Sequence, residues 1–115
     1  MNENLLRTSL LALAVATGLS AEIRVGSQEA LKAATSKPAP EYSAVAKQMK
    51  VSGRVEVEVT IDAEGKVEEA KALTGNPLLT GPAVTAVKKW RFTPFTANGQ
   101  ATKAMTNLVF DFKPQ

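Results

Sequence analysis

Apolar and polar residues alternate strictly from Arg54 to Ile61, with Val55, Val57, Val59 and Ile61 set against Arg54, Glu56, Glu58 and Thr60. A period of two puts one strand face in a core and the other in water. Asp62-Ala-Glu-Gly65 follows as a hairpin connection, with Gly65 supplying the positive φ that a turn plus bulge needs. The return strand, Lys66 to about Leu73, turns Val67, Ala70 and Ala72 to one side only if a bulge falls near Glu68 or Glu69. Gly75-Asn-Pro77 closes it. The spacing then becomes helical, from near Leu78 or Thr80 to Trp90, with Ala83, Val84, Ala86, Val87 and Trp90 on the buried face. Pro82 is placed in the first turn, where its missing N–H is no loss. Lys88, Lys89 and Arg91 crowd the C-terminal end, where the helix dipole favours cations. After an Asn98-Gly99 turn, a last strand runs from about Thr102 to Phe112. Ala104, Thr106, Leu108, Phe110 and Phe112 share one face, and Lys103, Met105, Asn107, Val109 and Asp111 the other.

Upstream the pattern is weaker. Glu41 to Lys50 reads as a short helix with Tyr42, Val45, Ala46 and Met49 on one face. In residues 22–37, Glu22 to Val25 suits a short strand, and Ser27 can cap a helix from about Gln28 to Thr35. Pro38 and Pro40 both disfavour helix just before them and break the chain there. Residues 22–37 are expected to be a linker, a tether with one loosely docked helix, leading into a domain over residues 38–113.

The main elements then run helix, strand, strand, helix, strand. A helical crossover between the second and third strands suits a parallel relation, so the first strand lies between them and pairs antiparallel with both. Right-handed crossover puts both helices on one face. The expected fold class is α+β: two layers, with a three-stranded antiparallel-centred sheet of order 2-1-3 and two helices on one face. Its third strand is then an edge about ten residues long without proline, open to pairing by another strand.

Composition narrows the chemistry. The 115 residues contain neither cysteine nor histidine, which removes thiolate chemistry, disulfides, the commonest metal ligand and the usual pH switch. Binding and stability are therefore expected to change little between about pH 5.5 and 7.5. No metal-ligand spacing, phosphate loop or aromatic–basic alternation stands out, so no metal, no cofactor and no nucleic acid is expected. Asp62 and Glu64 form the one carboxylate pair worth weighing, but a hairpin tip usually spends acidic residues on its turn. No catalytic residue is assigned, and the chain is not expected to be an enzyme. Arg7 precedes an uncharged stretch, Thr8 to Ala21, which spans roughly 21 Å as a helix, short of the ~30 Å core of a bilayer. Residues 1–21 are expected to be a signal peptide, cleaved after Ser20 or Ala21. An uncleaved membrane anchor and an ordinary helix are the alternatives. Without Arg7 and Glu3 the net charge stays at +3 (13 − 10), a solubility-level excess rather than a nucleic-acid footprint.

Several of these pieces, in this order, resemble the C-terminal domain of TonB-family energy transducers. The resemblance covers Pro38 to Phe112 and rests on the Gly53/Val55/Val57/Val59/Ile61 strand, Asp62 and Gly65, and Gly75-Asn-Pro-Leu78. It also rests on Ala86-Val-Lys-Lys-Trp-Arg-Phe92 with Pro94, and on Phe110-Asp-Phe112. It implies a periplasmic module that binds the short TonB box of outer-membrane transporters by strand addition along Lys103–Phe112. In the family a Gln-Tyr-Pro segment leads in and its Gln touches the box; here Glu41-Tyr42-Ser43 stand there, so only the tyrosine is kept. The expected peptide-binding residues are Glu41, Tyr42, Lys103, Met105, Asn107, Val109 and Asp111. Full-length transducers resemble one another in a membrane helix bearing Ser and His, followed by a Pro-rich spacer. This chain shows neither, so it is expected not to transduce energy unaided. The alternative reading is an envelope scaffold in which the edge pairs with its own copy as a homodimer. Contact with the membrane is expected only indirectly, or through an uncleaved N-terminus.

Overall fold

The computed structural model describes residues 22–113; the expected signal peptide lies outside the described residues. Eight strands and three helices are present among them. The strands are β1 (Ile23–Arg24), β2 (Ala34–Ser36), β3 (Gly53–Ile61), β4 (Val67–Thr74), β5 (Arg91–Phe92), β6 (Phe95–Ala97), β7 (Gln100–Thr102) and β8 (Ala104–Phe112). The helices are α1 (Ser27–Ala33), α2 (Ala44–Gln48) and α3 (Pro77–Lys88). The main sheet has the order β1-β8-β3-β4, so the three expected strands β4, β3 and β8 gain a fourth. β3 is antiparallel to both neighbours, whereas β1 joins β8 in parallel.

Val55, Val57, Val59 and Ile61 of β3 are fully buried, as are Ala104 and Thr106 of β8. Ala30 of α1, Ala46 of α2 and Leu79, Ala83 and Val87 of α3 close over the same apolar cluster. All helices therefore cover one sheet face, and the charged residues of β3 hold the other.

The expected bulge in β4 falls at Glu68, where Thr60 and Ile61 pair with Glu69 and Val67. Several other local expectations are corrected. A second, unexpected bulge sits at Leu73, between the Glu56–Thr74 and Val57–Ala72 pairs. Helix α3 starts at Pro77 because the Asn76 side chain caps it, accepting from Leu78 N–H at 2.8 Å. Pro82 consequently sits in the second turn and leaves the Leu78 carbonyl without its helical donor. Ser27 lies inside α1 and caps nothing; Gly26 is the N-cap residue. Helix α2 spans only five residues, and Val45 and Met49 are exposed.

The lead-in differs most. Val25 is 5% exposed and Ala30 not at all. β2 pairs with β5, and Thr93 N–H donates to the Ala33 carbonyl at 2.9 Å. Residues 22–36 are thus packed into the domain rather than tethering it.

At the hairpin, Gly65 meets a demand no other residue could. Its φ is +90°, and a Cβ there would lie 1.9 Å from the Phe92 carbonyl oxygen. Phe92 N–H donates to the Gly65 carbonyl at 2.9 Å, so the hairpin touches β5 backbone to backbone.

Candidate functional site

Side chains alternate along β8, and so do its backbone groups. Ile23 N–H donates to the Lys103 carbonyl at 2.9 Å and Val25 N–H to the Met105 carbonyl at 2.8 Å. These carbonyls therefore point away from β3. By the period of two, Asn107, Val109 and Asp111 also turn their N–H and C=O outward. Among the described residues, no strand pairs with β8 beyond the Arg24–Met105 register position on that side. The open rim is the C-terminal half of β8.

The other end of the sheet, β4, is also an edge. Its two bulges break the row of outward groups, and Glu68, Glu69 and Lys71 stud it with charge, the usual way of blunting an edge. β8 pairs with β3 without a register shift from Ala104 to Phe112. Its regular rim suits a guest strand; that of β4 does not.

The Trp90 indole fixes what lies beside the rim. Its Nε1–H donates to the Pro38 carbonyl at 3.0 Å, and its ring meets Phe110 edge-on with centroids 5.8 Å apart. Tyr42 packs edge-on against Phe112 at 5.9 Å, and its hydroxyl donates to the Val51 carbonyl. Ser43 caps α2 by accepting from Ala46 N–H at 3.1 Å, which sets the direction in which the chain leaves Tyr42. Between this segment and the end of β8 runs a groove of about 260 Å³, lined by Ala39, Pro40, Tyr42, Phe110 and Phe112 with Asp111 and Lys113 at its charged side.

The expected binding residues divide accordingly. Asn107, Val109, Asp111 and Tyr42 come together along the rim and groove. Asn107 Nδ2 donates to Glu56 at 2.7 Å, Val109 is 49% exposed, and Asp111 pairs with Arg54 at 3.0 Å. Lys103 and Met105 fall outside the rim, because β1 takes their carbonyls. The Lys103 ammonium also reaches the other way, to Glu68 on β4 at 3.2 Å. Glu41 is exposed but lines a separate groove with Pro38, Pro82 and Lys89. Sequence reasoning missed Pro40, Phe110 and Phe112 as groove walls. The aromatic pair flanking Asp111 was the available signal, read as part of one strand face and of the family resemblance but not as a groove wall. It also missed Arg24, which reaches Glu58 at 3.3 Å and Asn107 Oδ1 at 3.5 Å.

Asp62 serves its turn. Its Oδ1 accepts from Glu64 N–H at 2.8 Å and Lys66 N–H at 3.0 Å. The Lys66 N–H above all holds its carboxyl below the ordinary value; the slight desolvation that opposes this is outweighed. Glu64 meets Lys66 at 3.7 Å and does not join Asp62 as an acid–base pair. Among the described residues no cluster of acidic side chains is arranged to hold a metal ion, and no helix is long and apolar enough to cross a membrane.

The family model for the Gram-negative bacterial TonB protein C-terminal matches residues 38–114. The protein TonB2 of Pseudomonas aeruginosa is 35% identical over 78 residues, which cover 66% of this chain and 29% of that protein. The chain thus matches less than a third of that relative's length. Among solved structures, the TonB CTD of Pseudomonas aeruginosa, determined in solution by NMR, aligns with a TM-score of 0.61 at 26% identity, over 71% of this chain and 85% of that one. The TonB2 protein of Vibrio anguillarum aligns with a TM-score of 0.53 at 26% identity, over 70% and 86%.

Proposed function

Because this chain belongs to the TonB C-terminal domain family, we propose that it captures an extended peptide, of the TonB-box kind carried by outer-membrane transporters, by strand addition in the periplasm. Domains of this family are interaction modules rather than enzymes. The observation that carries the reading is the rim of Asn107, Val109 and Asp111, unpaired among the described residues, beside the Pro40/Tyr42/Phe112 groove. Backbone groups of the rim supply affinity, and the groove selects one side chain of the guest.

The contact is weak. If every outward N–H and C=O of the three rim residues is used, the bonds contribute about 6 kcal/mol at ~1 kcal/mol each. One apolar side chain in the groove adds about 2 kcal/mol. Association costs at least ~4 kcal/mol. The remainder, about 4 kcal/mol, corresponds to a dissociation constant near 1 mM. A transporter that must release its partner after each cycle is served by such a contact.

Titration of the isotope-labelled chain with TonB-box peptides, followed by NMR, tests this. Amide shifts are expected at Asn107–Phe112 and around Tyr42. No shift there at several millimolar peptide overturns the reading. Sedimentation at varied concentration addresses the alternative occupant, a second copy of this chain pairing along the same rim: a stable dimer would hide the edge.

A further inference from the structure

The lead-in strand β1 already sits on the edge that the proposed guest would use, and it ends partway along it. We propose that β1 is a fixed stop that sets the length and register of the guest strand, confining it to Asn107–Phe112. This rests on the strand-addition reading above and adds a specificity element to it.

β1 shows that this edge accepts a strand, since Ile23 and Val25 donate to the Lys103 and Met105 carbonyls. It is held from both sides of the sheet: Val25 is buried in the core on the inner face, and on the outer face Arg24 bridges Glu58 and Asn107. The chain after β1 is anchored too, through buried Ala30 and the pairing of β2 with β5, so β1 cannot swing away without uncovering the core. A two-residue strand with one of these supports would be displaced by a guest; with all of them it stays. A guest strand advancing along β8 therefore meets Val25 at Met105 and pairs no further. Asn107 carries the junction, because its side chain is bonded both to Arg24 of β1 and to Glu56 of β3.

Length dependence tests this. Capped peptides of alternating Val and Thr, five and nine residues long, are titrated into the full chain and into Ile23→Pro, which removes the donor to Lys103. In the unaltered chain the two peptides are expected to bind within about twofold of each other, with amide shifts confined to Asn107–Phe112. In Ile23→Pro the longer peptide should gain roughly fivefold for each bond added, and shifts should extend to Ala104 and Met105. Arg24→Ala, which loosens only the outer support, should move in the same direction by less. The stop is refuted if the longer peptide already binds several-fold tighter to the unaltered chain while the Ile23 and Arg24 signals move, because β1 is then being displaced. That result decides even if Ile23→Pro folds poorly. Absence of rim shifts with both peptides in every protein would instead overturn strand addition itself, and the stop with it.

Discussion

Proline at Val109 separates the rim from the ladder. The Val109 N–H points away from β3, as the Met105 carbonyl does on the same side of the strand. Val109→Pro thus removes a donor that no strand among the described residues uses. The side chain is 49% exposed on the open face, so little apolar burial is lost. Stability should change by no more than about 1–1.5 kcal/mol, the cost of drawing one strand residue toward proline's φ. Binding should fall much further. One rim bond is lost, worth about 1 kcal/mol or roughly fivefold, and the ring occupies the space where a guest backbone lies, weakening the bonds at Asn107 and Asp111. A drop of at least about tenfold is expected, beyond detection for a contact near 1 mM. Leu108→Pro is the control. Leu108 is 1% exposed and pairs with Val57, so the change breaks the ladder and empties part of the core, costing about 5 kcal/mol or more. Urea unfolding measures the stability of both variants, and peptide titration monitored by NMR measures binding. If Val109→Pro is as unstable as Leu108→Pro, its N–H faces β3 and the assignment of the rim is wrong. If it is stable and binds at the parental level, the guest does not pair along β8.

Thr106 has a fully buried hydroxyl with no hydrogen-bond partner, so Thr106→Val should raise stability by about 1 kcal/mol, read as a higher urea midpoint at unchanged m. Gly65→Ala forces a Cβ to 1.9 Å from the Phe92 carbonyl oxygen at a φ of +90°, and should cost about 2–4 kcal/mol in the same assay. The Asp62 pKa is depressed in the folded chain, so its contribution to stability is complete above the ordinary value of about 4 and disappears as pH falls through the lower folded value. Asp62→Asn should therefore be less stable than the parent at neutral pH, with the gap closing on acidification below about pH 4; a gap that stays constant would refute the turn's role for the charged carboxylate.

Legibility in the sequence followed the range of the interactions. β3 could be read because strict alternation is a local signal, and the Glu68 bulge because Val67 and Ala70 differ in parity along the strand. The Leu73 bulge left no such mark, since both Leu73 and Thr74 are exposed and either parity is tolerated. Asn76-Pro77 was a readable cap and first position, yet the apolar run beyond it drew the expected start too late. α2 was too short to define a face, so the apolar Val45 and Met49 were misassigned. β1 itself was expected as a short strand, but its pairing with β8 was beyond local reasoning. Two residues carry no periodicity, and their partners Ala104 and Met105 lie near the opposite end of the chain. That one long-range pairing decides which of the expected rim residues are free, which is why Lys103 and Met105 were included and Arg24 was not.

The packing of the lead-in also shifts where the folding unit begins. The family match starts at residue 38, but Val25 and Ala30 belong to the same cluster as Val57 and Leu108. A chain starting at Pro38 would forfeit their burial, about 2–3 kcal/mol. That figure is an upper bound, because the ordering cost of the segment is returned at the same time. The loss has a second consequence. Without β1 the Lys103 and Met105 carbonyls join the rim, and an uninterrupted edge from Lys103 to Phe112 is long enough to template pairing between copies. The shortened chain should therefore unfold at lower urea than one beginning at Glu22. Its sedimentation coefficient should rise with concentration where that of the longer chain stays constant. Equal stability and equal monomeric behaviour would show that residues 22–37 are only a tether, and that the edge is kept single by something other than β1.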